Sequence, residues 1–296
     1  MRIVVIVQAR TGSSRLPGKV LRRVGRQTIL THVLARAKRI PGAHEVVVAT
    51  TTDPLDDAIV NLARGAGIRW VRGPEEDVLG RFVMAADALR ADTVVRLTSD
   101  CPLLDPAVAG RVLRTFLRAV AAPTPACWYV SNVHPPSWYD GCDVEVFSRA
   151  ALQEADQCAT STEREHVTTR IWRRANERIN VALEGEDHSR LKLSVDTAED
   201  LDRVRRTYAA LHDKEAFGWQ DVVAAHRVAF PTALERRAVQ IFGRRDVAAD
   251  RREAYLAGAS ATAGLAVNPH STGDEVGRRR RDAWLLGFED GPWAGA

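Results

Sequence analysis

The chain has 296 residues, of which 45% are hydrophobic and 27% are charged, and its formal net charge is +4. These values indicate an ordinary soluble globular protein, and the mild positive balance suits an anionic substrate without indicating nucleic acid. No stretch approaches the roughly 20 consecutive apolar residues of a membrane helix, and the apolar run near the N-terminus is too short for a signal peptide. We therefore expect a cytoplasmic protein that makes no membrane contact.

Short apolar runs alternate with helical patterns through the first half of the chain. Residues 3–7, 46–49 and 93–97 are rich in valine or isoleucine, which predicts strands buried on both faces of a parallel sheet. Apolar stripes at helical spacing predict helices over residues 29–40 and 108–120. This alternation is the pattern of an α/β layered domain.

Further elements follow with less regular spacing. We predict strands over 68–71, 128–130, 143–147, 179–183 and 191–195, and helices over 77–89, from 148, near 162, from 197 and over 219–228. Thr162 and Glu165 have the spacing of a capping box. Glu199 and Asp200 lie in the first turn of the helix that starts at Thr197, where acidic side chains are favourable.

The first βα loop, residues 8–19, carries the strongest local signal. It reads QARTGSSRLPGK and directly follows the first predicted strand. Gly12 permits close backbone approach, so that N–H groups can face phosphate oxygens, and Arg10, Arg15 and Lys19 add positive charge. The loop matches neither the Walker motif nor the dinucleotide-binding glycine pattern. We predict phosphate binding here; the alternative is an ordinary polar turn.

Two aspartates follow predicted strands. Asp100 comes after the strand at 93–97, and ligands of open parallel sheets bind at such carboxyl ends. Asp100 is therefore placed to ligate Mg²⁺, although an aspartate shortly before a proline is also a common turn element. Asp196 follows the strand predicted at 191–195, where it could bind the metal or cap the next helix. Because a capping carboxylate has fewer free lone pairs, these two roles compete.

Eight blocks of the sequence carry a family resemblance. They are, in chain order, QARTGSSRLPGKVL, VVATTTDPLDD, RGPEEDVLGRF, VVRLTSDCPLLDP, YVSN, DGCDVEVFSRAAL, EREHVTTRIW and LSVDTAEDLDRVR. Together they resemble the cytidylyltransferase family that includes the CMP-Kdo and CMP-acylneuraminate synthetases, and within it the spore-coat polysaccharide biosynthesis branch. The resemblance covers residues 1 to about 215.

The resemblance implies a Rossmann-like nucleotidyltransferase (GT-A-like) fold, with three layers and a mostly parallel sheet. It also implies a Mg²⁺-dependent enzyme that transfers CMP from CTP to an acidic sugar or related small acid. Asp100 and Asp196 correspond to the metal-binding positions, and Arg15 and Lys19 would stabilise the departing pyrophosphate. The implied nucleotide-binding residues are Gln8, Ala9, Arg10, Thr11, Gly12, Ser13, Ser14, Arg15, Lys19, Asp77, Arg81 and Thr98.

The same resemblance places four residues on the acceptor side of the site. Asp143 and Glu145 would line the acceptor pocket, although an Asp-x-Glu pattern on a strand is as often a solvated face. Arg164 and His166 lie in the EREH block. For His166, the alternative is a packed surface histidine.

Beyond about residue 235 the composition changes. We predict a nucleotidyltransferase domain over 1–235 and a small segment over 236–296, with two helices joined by an Asn268-Pro269 turn. The small-residue spacing over 254–264, together with Trp284, resembles the ribosome modulation factor-like family and implies RNA or ribosome contact. The alternatives are a solvated helix face, or a packing appendage that docks on the main domain or on a twin subunit and so forms a homodimer.

Two other functions compete with the nucleotidyltransferase. A GT-A-type glycosyltransferase would consume a sugar nucleotide, but such enzymes generally carry a D-x-D motif where this chain has Ser99, Asp100 and Cys101. A non-catalytic module could instead bind RNA or a protein through the tail. Against such degeneration stands the presence of Arg15, Lys19, Asp100 and Asp196.

Overall fold

The computed structural model describes residues 1–121, 128–211 and 216–232, together with a few single residues outside these ranges. The chain divides into two units, Met1–Ala225 and His226–Ala296. Nearly all of the segment predicted over 236–296 lies outside the described residues. Its two helices, and the boundary near residue 235, therefore stay predictions.

A seven-stranded, mostly parallel sheet forms the centre of the first unit. Its strands are β1 (Ile3–Gln8), β4 (Glu45–Thr51), β5 (Arg69–Gly73), β6 (Thr93–Thr98), β7 (Trp128–Ser131), β8 (Glu145–Ser148) and β9 (Glu177–Asn180). The spatial order is β5-β4-β1-β6-β8-β7-β9, and β8 runs antiparallel to both of its neighbours. A separate two-stranded ribbon pairs β2 (Arg23–Val24) with β3 (Gln27–Thr28).

Nine α-helices lie within the described residues. They are α1 (Ile29–Ala37), α2 (Asp57–Gly65), α3 (Val78–Ala88), α4 (Pro106–Val120), α5 (Arg149–Cys158), α6 (Ser161–His166), α7 (Thr168–Arg174), α8 (Ala198–Ala209) and α9 (Trp219–Ala229). Helix α2 was not predicted from the sequence. Among the described residues, no helix has the length and apolar character that crossing a bilayer would require.

The central strand β1 shows why the domain has three layers. Val5 and Val7 pack into the apolar cluster that includes residues of α1 and α4, whereas Val4 and Ile6 pack into the cluster that includes residues of α3 and α5. All four side chains are fully buried, as the period of two along a strand requires when both faces are covered. The three-layer α/β fold predicted from the sequence is confirmed.

Two local predictions are wrong. Residues 191–195 form no strand of the sheet; they are an irregular segment held by backbone hydrogen bonds to Asp140 and Asp100. The capping box of α6 is Thr160 with Glu163, two residues before the predicted pair. Both pairs fit the same sequence pattern, but Glu163 is buried whereas Glu165 is exposed, so burial decides between them.

Candidate active site

A cleft of about 450 Å³ opens at the carboxyl ends of β1 and β6. These two strands are parallel neighbours with Gln8 opposite Thr98, so the loops that follow them meet at one edge of the sheet. The residues that line this main cleft are Gln8, Ala9, Arg10, Gly12, Ser13, Ser14, Arg15, Lys19, Val20, Val78, Arg81, Arg96, Thr98, Ser99, Asp100, Glu165, His166 and Asp196.

Lys19 lies between two carboxylates at the end of the predicted phosphate loop. Its Nζ is 2.7 Å from Asp100 Oδ2 and 3.0 Å from Asp196 Oδ1. Burial alone would lower the pKa of Lys19, but the two carboxylates outweigh it and raise the pKa above its usual value. The ammonium group therefore stays charged in a largely enclosed position.

Asp196 is positioned by backbone contacts between loops that are far apart in sequence. Leu193 N donates to Asp140 O at 2.7 Å, and Val195 N donates to Asp100 O at 3.0 Å. The segment before Asp196 is thereby held against the loop that carries Asp100. This approach requires Gly141, which has φ +114° and whose missing Cβ would lie 2.8 Å from the carbonyl carbon of Leu193.

The capping role considered for Asp196 is wrong. Thr197 is the N-cap of α8, and it forms a reciprocal capping box with Asp200. The carboxylate of Asp196 instead binds cations, with Arg15 at 3.2 Å and Lys192 at 3.0 Å in addition to Lys19. Burial alone would raise the pKa of Asp196, but the two lysines lower it below its usual value, which keeps the group ionised.

Thr11 differs from the other predicted nucleotide-binding residues of the loop, because it does not line the main cleft. Both its backbone N–H and its hydroxyl donate to Asp56 Oδ1, at 2.8 and 2.6 Å. The other oxygen of Asp56 accepts hydrogen bonds from Thr50 and Thr51 at the end of β4. Thr11 therefore anchors the loop, with no donor free for phosphate.

Asp56 was not among the site residues predicted from the sequence. Three aspartates lie close together at this point, and only the tertiary structure shows which one is buried: Asp56 is 1% exposed, while Asp53 and Asp57 are exposed. Burial alone would raise the pKa of Asp56, but the hydrogen bonds from Thr11, Thr50 and Thr51 lower it below its usual value.

Arg81 forms part of the cleft wall from a buried position on α3. It is 2% exposed, and its Nη1 donates to the backbone oxygens of Pro74 and Glu75. Burial, together with the charge of Arg10, lowers the pKa of Arg81 below its usual value. Arg10 pairs with the side chain of Glu75 at 3.0 Å, so the segment before α3 carries contacts from both arginines.

Asp77 and Arg164 bind each other. Neither residue lines the main cleft or the smaller cavity beside it. Asp77 caps α3 by accepting from Gly80 N at 2.8 Å, and Arg164 donates to both of its oxygens at 2.8 and 3.0 Å. Arg164 also binds Asp156. The polar groups of Asp77 and Arg164 thus fasten α6 to α3, and the roles at the nucleotide and the substrate stay predictions.

A side cavity of about 350 Å³ adjoins the main cleft, with which it shares Arg96, Thr98 and His166. Its lining residues are Arg96, Thr98, Val133, His134, Asp143, Glu145, His166, Thr168 and Thr169. His166 is exposed between the two spaces. Three of the four residues predicted on the acceptor side, Asp143, Glu145 and His166, therefore meet in one cavity.

Glu145 is the most enclosed carboxylate of the side cavity. It is 6% exposed, and it pairs with Arg96 and accepts a hydrogen bond from the hydroxyl of Tyr129. Burial alone would raise the pKa of Glu145, but Arg96 and these hydrogen bonds lower it below its usual value. Glu145 is thus held as an ion, and its charge is balanced by Arg96.

The comparisons with known proteins agree with this geometry. The family model of cytidylyltransferases matches residues 4–179. The chain belongs to the cytidylyltransferase family. Members of such a family catalyse transfer of a cytidylyl group, so this protein is a nucleotidyltransferase of the cytidylyltransferase class, as predicted.

Individual relatives extend the match. The spore coat polysaccharide biosynthesis protein SpsF of Bacillus subtilis is 30% identical over 221 residues, which are 70% of this chain and 86% of that protein. A 3-deoxy-manno-octulosonate cytidylyltransferase of Anaeromyxobacter dehalogenans is 36% identical over 125 residues, 41% of this chain and 50% of that protein. The structure of a cytidylyltransferase from Leptospira borgpetersenii is 29% identical with a TM-score of 0.69, covering 77% of this chain and 94% of that one.

The C-terminal segment stands apart from these matches. The family model ends at residue 179, and the comparisons lend no support to the ribosome modulation factor-like resemblance. The residues that carry it, 254–264 and Trp284, lie almost wholly outside the described part of the chain. Contact with RNA or the ribosome, and a homodimer, stay predictions.

Proposed function

We propose that this cytidylyltransferase takes up CTP with Mg²⁺ and transfers its CMP group to a hydroxyl of an acidic sugar, releasing pyrophosphate. The observation that carries the proposal is the convergence of Lys19, Asp100 and Asp196 at the end of a cation-rich loop. A triphosphate needs positive charge and a metal-binding carboxylate within one cleft, and this cleft combines both.

The residues present fit a magnesium ion. Asp100 and Asp196 offer carboxylate oxygens, the donors that Mg²⁺ prefers, and both lie within 3.0 Å of the same ammonium nitrogen. The Lys19 ammonium group lies within hydrogen-bond distance of both carboxylates, which supports the proposal that this place stabilises positive charge. Mg²⁺ is usually held by one or two carboxylates together with substrate phosphates, so these two suffice. When bound, it would withdraw charge from the phosphate oxygens.

Two positively charged side chains of the loop, Arg15 and Lys19, would stabilise the negative charge of the phosphates. The side chain of Arg15 is 63% exposed, so it can turn toward an entering triphosphate. The side chain of Lys19 is only 14% exposed and stays between the carboxylates. Both charges favour the state in which negative charge accumulates on departing pyrophosphate. Because neither residue has to form a bond, alignment and charge are the whole contribution of this loop.

The side cavity is the place for the acceptor. Arg96, His134 and His166 line it and supply nitrogen groups that can bind a carboxylate, while Thr168 and Thr169 supply hydroxyls for a sugar. The acidic-sugar assignment takes its support from two relatives, one named for 3-deoxy-manno-octulosonate and one for polysaccharide biosynthesis. The cavity shares Arg96, Thr98 and His166 with the main cleft, which supports the proposal that an acceptor hydroxyl reaches the α-phosphorus there.

Pyrophosphate release tests the proposal. The purified protein is incubated with each of the four ribonucleoside triphosphates and a panel of sugars with and without a carboxylate, including 3-deoxy-manno-octulosonate. We expect release that requires CTP, Mg²⁺ and an acidic sugar, and that stops in EDTA. Release with another nucleotide would overturn the CTP assignment. Consumption of a CMP-sugar with transfer of its sugar, and no pyrophosphate from CTP, would instead identify a glycosyltransferase.

A further inference from the structure

Asp143 occupies a distinctive position in the side cavity. It lies two residues before β8, it lines the cavity together with Arg96, His134 and His166, and it is largely enclosed by protein. Within the part of the chain that the structure describes, no hydrogen bond or ion pair reaches its carboxylate. A largely enclosed carboxylate that faces an open cavity without a partner is costly, and a ligand group would provide that partner.

The neighbouring carboxylates are already engaged. Glu145 is paired with Arg96 and Tyr129, whereas Asp100 and Asp196 share Lys19. Asp140 accepts a hydrogen bond from Ser194. Of the carboxylates set into the walls around the acceptor space, Asp143 is thus the one whose oxygens remain available to a bound molecule in the described structure.

We propose that Asp143 is the general base of the transfer reaction, the group that accepts the proton of the acceptor's attacking hydroxyl. This assignment rests on the proposed function, since it requires CTP in the main cleft and a hydroxylated acceptor in the side cavity. Arg96, Thr98 and His166 border both spaces, so an acceptor held against Asp143 lies next to the nucleotide.

The step balances without a further reactant. The acceptor oxygen forms a bond to the α-phosphorus of CTP as its proton passes to a carboxylate oxygen of Asp143. The bond between the α-phosphorus and the bridging oxygen breaks, and pyrophosphate leaves with that electron pair. The protonated Asp143 then loses its proton to solvent through the open cavity, which restores the carboxylate for the next turnover.

The charges around Asp143 suit a base that works near neutral pH. Burial, followed by the negative charges of Asp140, Glu145 and Asp100, raises the pKa of Asp143 to about 7, and Arg96 opposes this rise. His134 and His166 face the same cavity and are the other titratable groups there. General base catalysis is most efficient when the pKa of the base lies close to the working pH, because the base is then both ionised and able to hold a proton.

The test compares Asp143→Asn with Asp143→Glu and with Asp87→Asn, whose carboxylate is half exposed on α3 and paired with Arg149. Pyrophosphate release at saturating CTP and acceptor gives kcat from pH 5.5 to 9, and titration calorimetry gives CTP binding. We expect Asp143→Asn to bind CTP normally but to lose about 10²-fold or more in kcat. Wild type and Asp87→Asn should share an acid limb in kcat, and Asp143→Asn should lose it.

The outcomes separate two kinds of failure. If the wild type itself releases no pyrophosphate with any acceptor, the proposed function fails. If the wild type turns over but Asp143→Asn keeps its kcat and acid limb, or changes only the acceptor KM, the base assignment is wrong. Should Asp143→Asn fail to fold, Asp143→Glu decides: a reduced kcat with a displaced acid limb supports the base, and an unchanged profile overturns it.

Discussion

The carboxylate of Asp56 holds Thr11 through two hydrogen bonds, from the backbone N–H at 2.8 Å and from the hydroxyl at 2.6 Å. Its other oxygen accepts from Thr50 and Thr51 at the end of the neighbouring strand β4. One buried side chain thus connects the phosphate loop to the sheet. The conformation of the loop therefore depends on a residue that does not line the main cleft.

We expect Asp56→Asn to destabilise the protein and weaken CTP binding together. Both carboxylate oxygens of Asp56 accept hydrogen bonds, whereas an amide has only one acceptor oxygen. The donors of either Thr11 or Thr51 therefore lose their partner inside the protein, at a cost of about 2 kcal/mol. The KM for CTP should rise about 10-fold as the loop loosens, equivalent to about 1.4 kcal/mol. Denaturant unfolding and steady-state kinetics measure the two effects.

The matched control for this prediction is Asp57→Asn. Asp57 is the next residue along the chain, but its side chain is 63% exposed and pairs with Arg72 at the surface. Exposed ion pairs contribute little, so the control should resemble wild type in stability and KM. Equal behaviour of the two variants would show that Asp56 does not hold the loop.

Lys19→Ala should cut kcat/KM by at least ~10²-fold, about 2.7 kcal/mol of transition-state stabilisation, because a charge facing the departing phosphates is lost. The fold should survive, since Asp100 and Asp196 can take up water or metal in its place. Lys38→Ala, at the exposed C-terminal end of α1, is the control. Near-normal turnover of Lys19→Ala would remove the loop from the active site.

Asp100→Asn and Asp196→Asn should each abolish most Mg²⁺-dependent turnover. Each substitution keeps the shape of the side chain and removes the charge that would hold the cation. We expect losses of similar size, because Thr197 caps α8 and the carboxylate of Asp196 is directed at Lys19. Titration of activity with Mg²⁺ measures the effect. A much smaller loss at Asp196 would confine the metal to Asp100.

Gly141→Ala should unfold at markedly lower temperature than wild type. The added Cβ would lie 2.8 Å from the carbonyl carbon of Leu193, and φ at this residue is +114°, which an alanine rarely adopts. Gly185→Ala is the control, since it has φ +100° but nothing within 4 Å of the added atom. The control therefore measures backbone strain alone. If the two variants lose equal stability, the contact with the 191–195 segment contributes nothing.

Asp143 should make stability depend on pH in a known direction. Its pKa of about 7 lies above the usual value of 3.8, so ionisation opposes folding, and the cost grows as pH rises from about 4 to 7. Asp143→Asn removes the ionisable group. The variant should therefore gain on the order of 2 kcal/mol relative to wild type at pH 8, and much less at pH 4.5. A gain that does not change with pH would contradict the elevated pKa.

Local sequence determined much of this protein. The apolar runs at 3–7, 46–49 and 93–97 could only be buried strands, and each lies within a strand of the sheet. The phosphate loop and Asp100 were predictable for the same reason, because in a parallel sheet residues that follow neighbouring strands must meet at one edge. The strands and the positions of the loops that follow them can therefore be predicted from the order of residues within short segments.

Tertiary structure alone decided the partners of the polar side chains. Asp53, Asp56 and Asp57 are equivalent in sequence, yet burial under Thr11 singles out Asp56. Asp77 and Arg164 lie in blocks that resemble binding segments. Although they are 87 residues apart in sequence, they form an ion pair with each other. The charge state and the hydrogen-bond partners of a carboxylate depend on the groups around it. Those groups come from segments that are distant in sequence, so local sequence patterns do not reveal them. The same physics leaves Asp143 unpaired in its cavity and pairs Glu145 with Arg96.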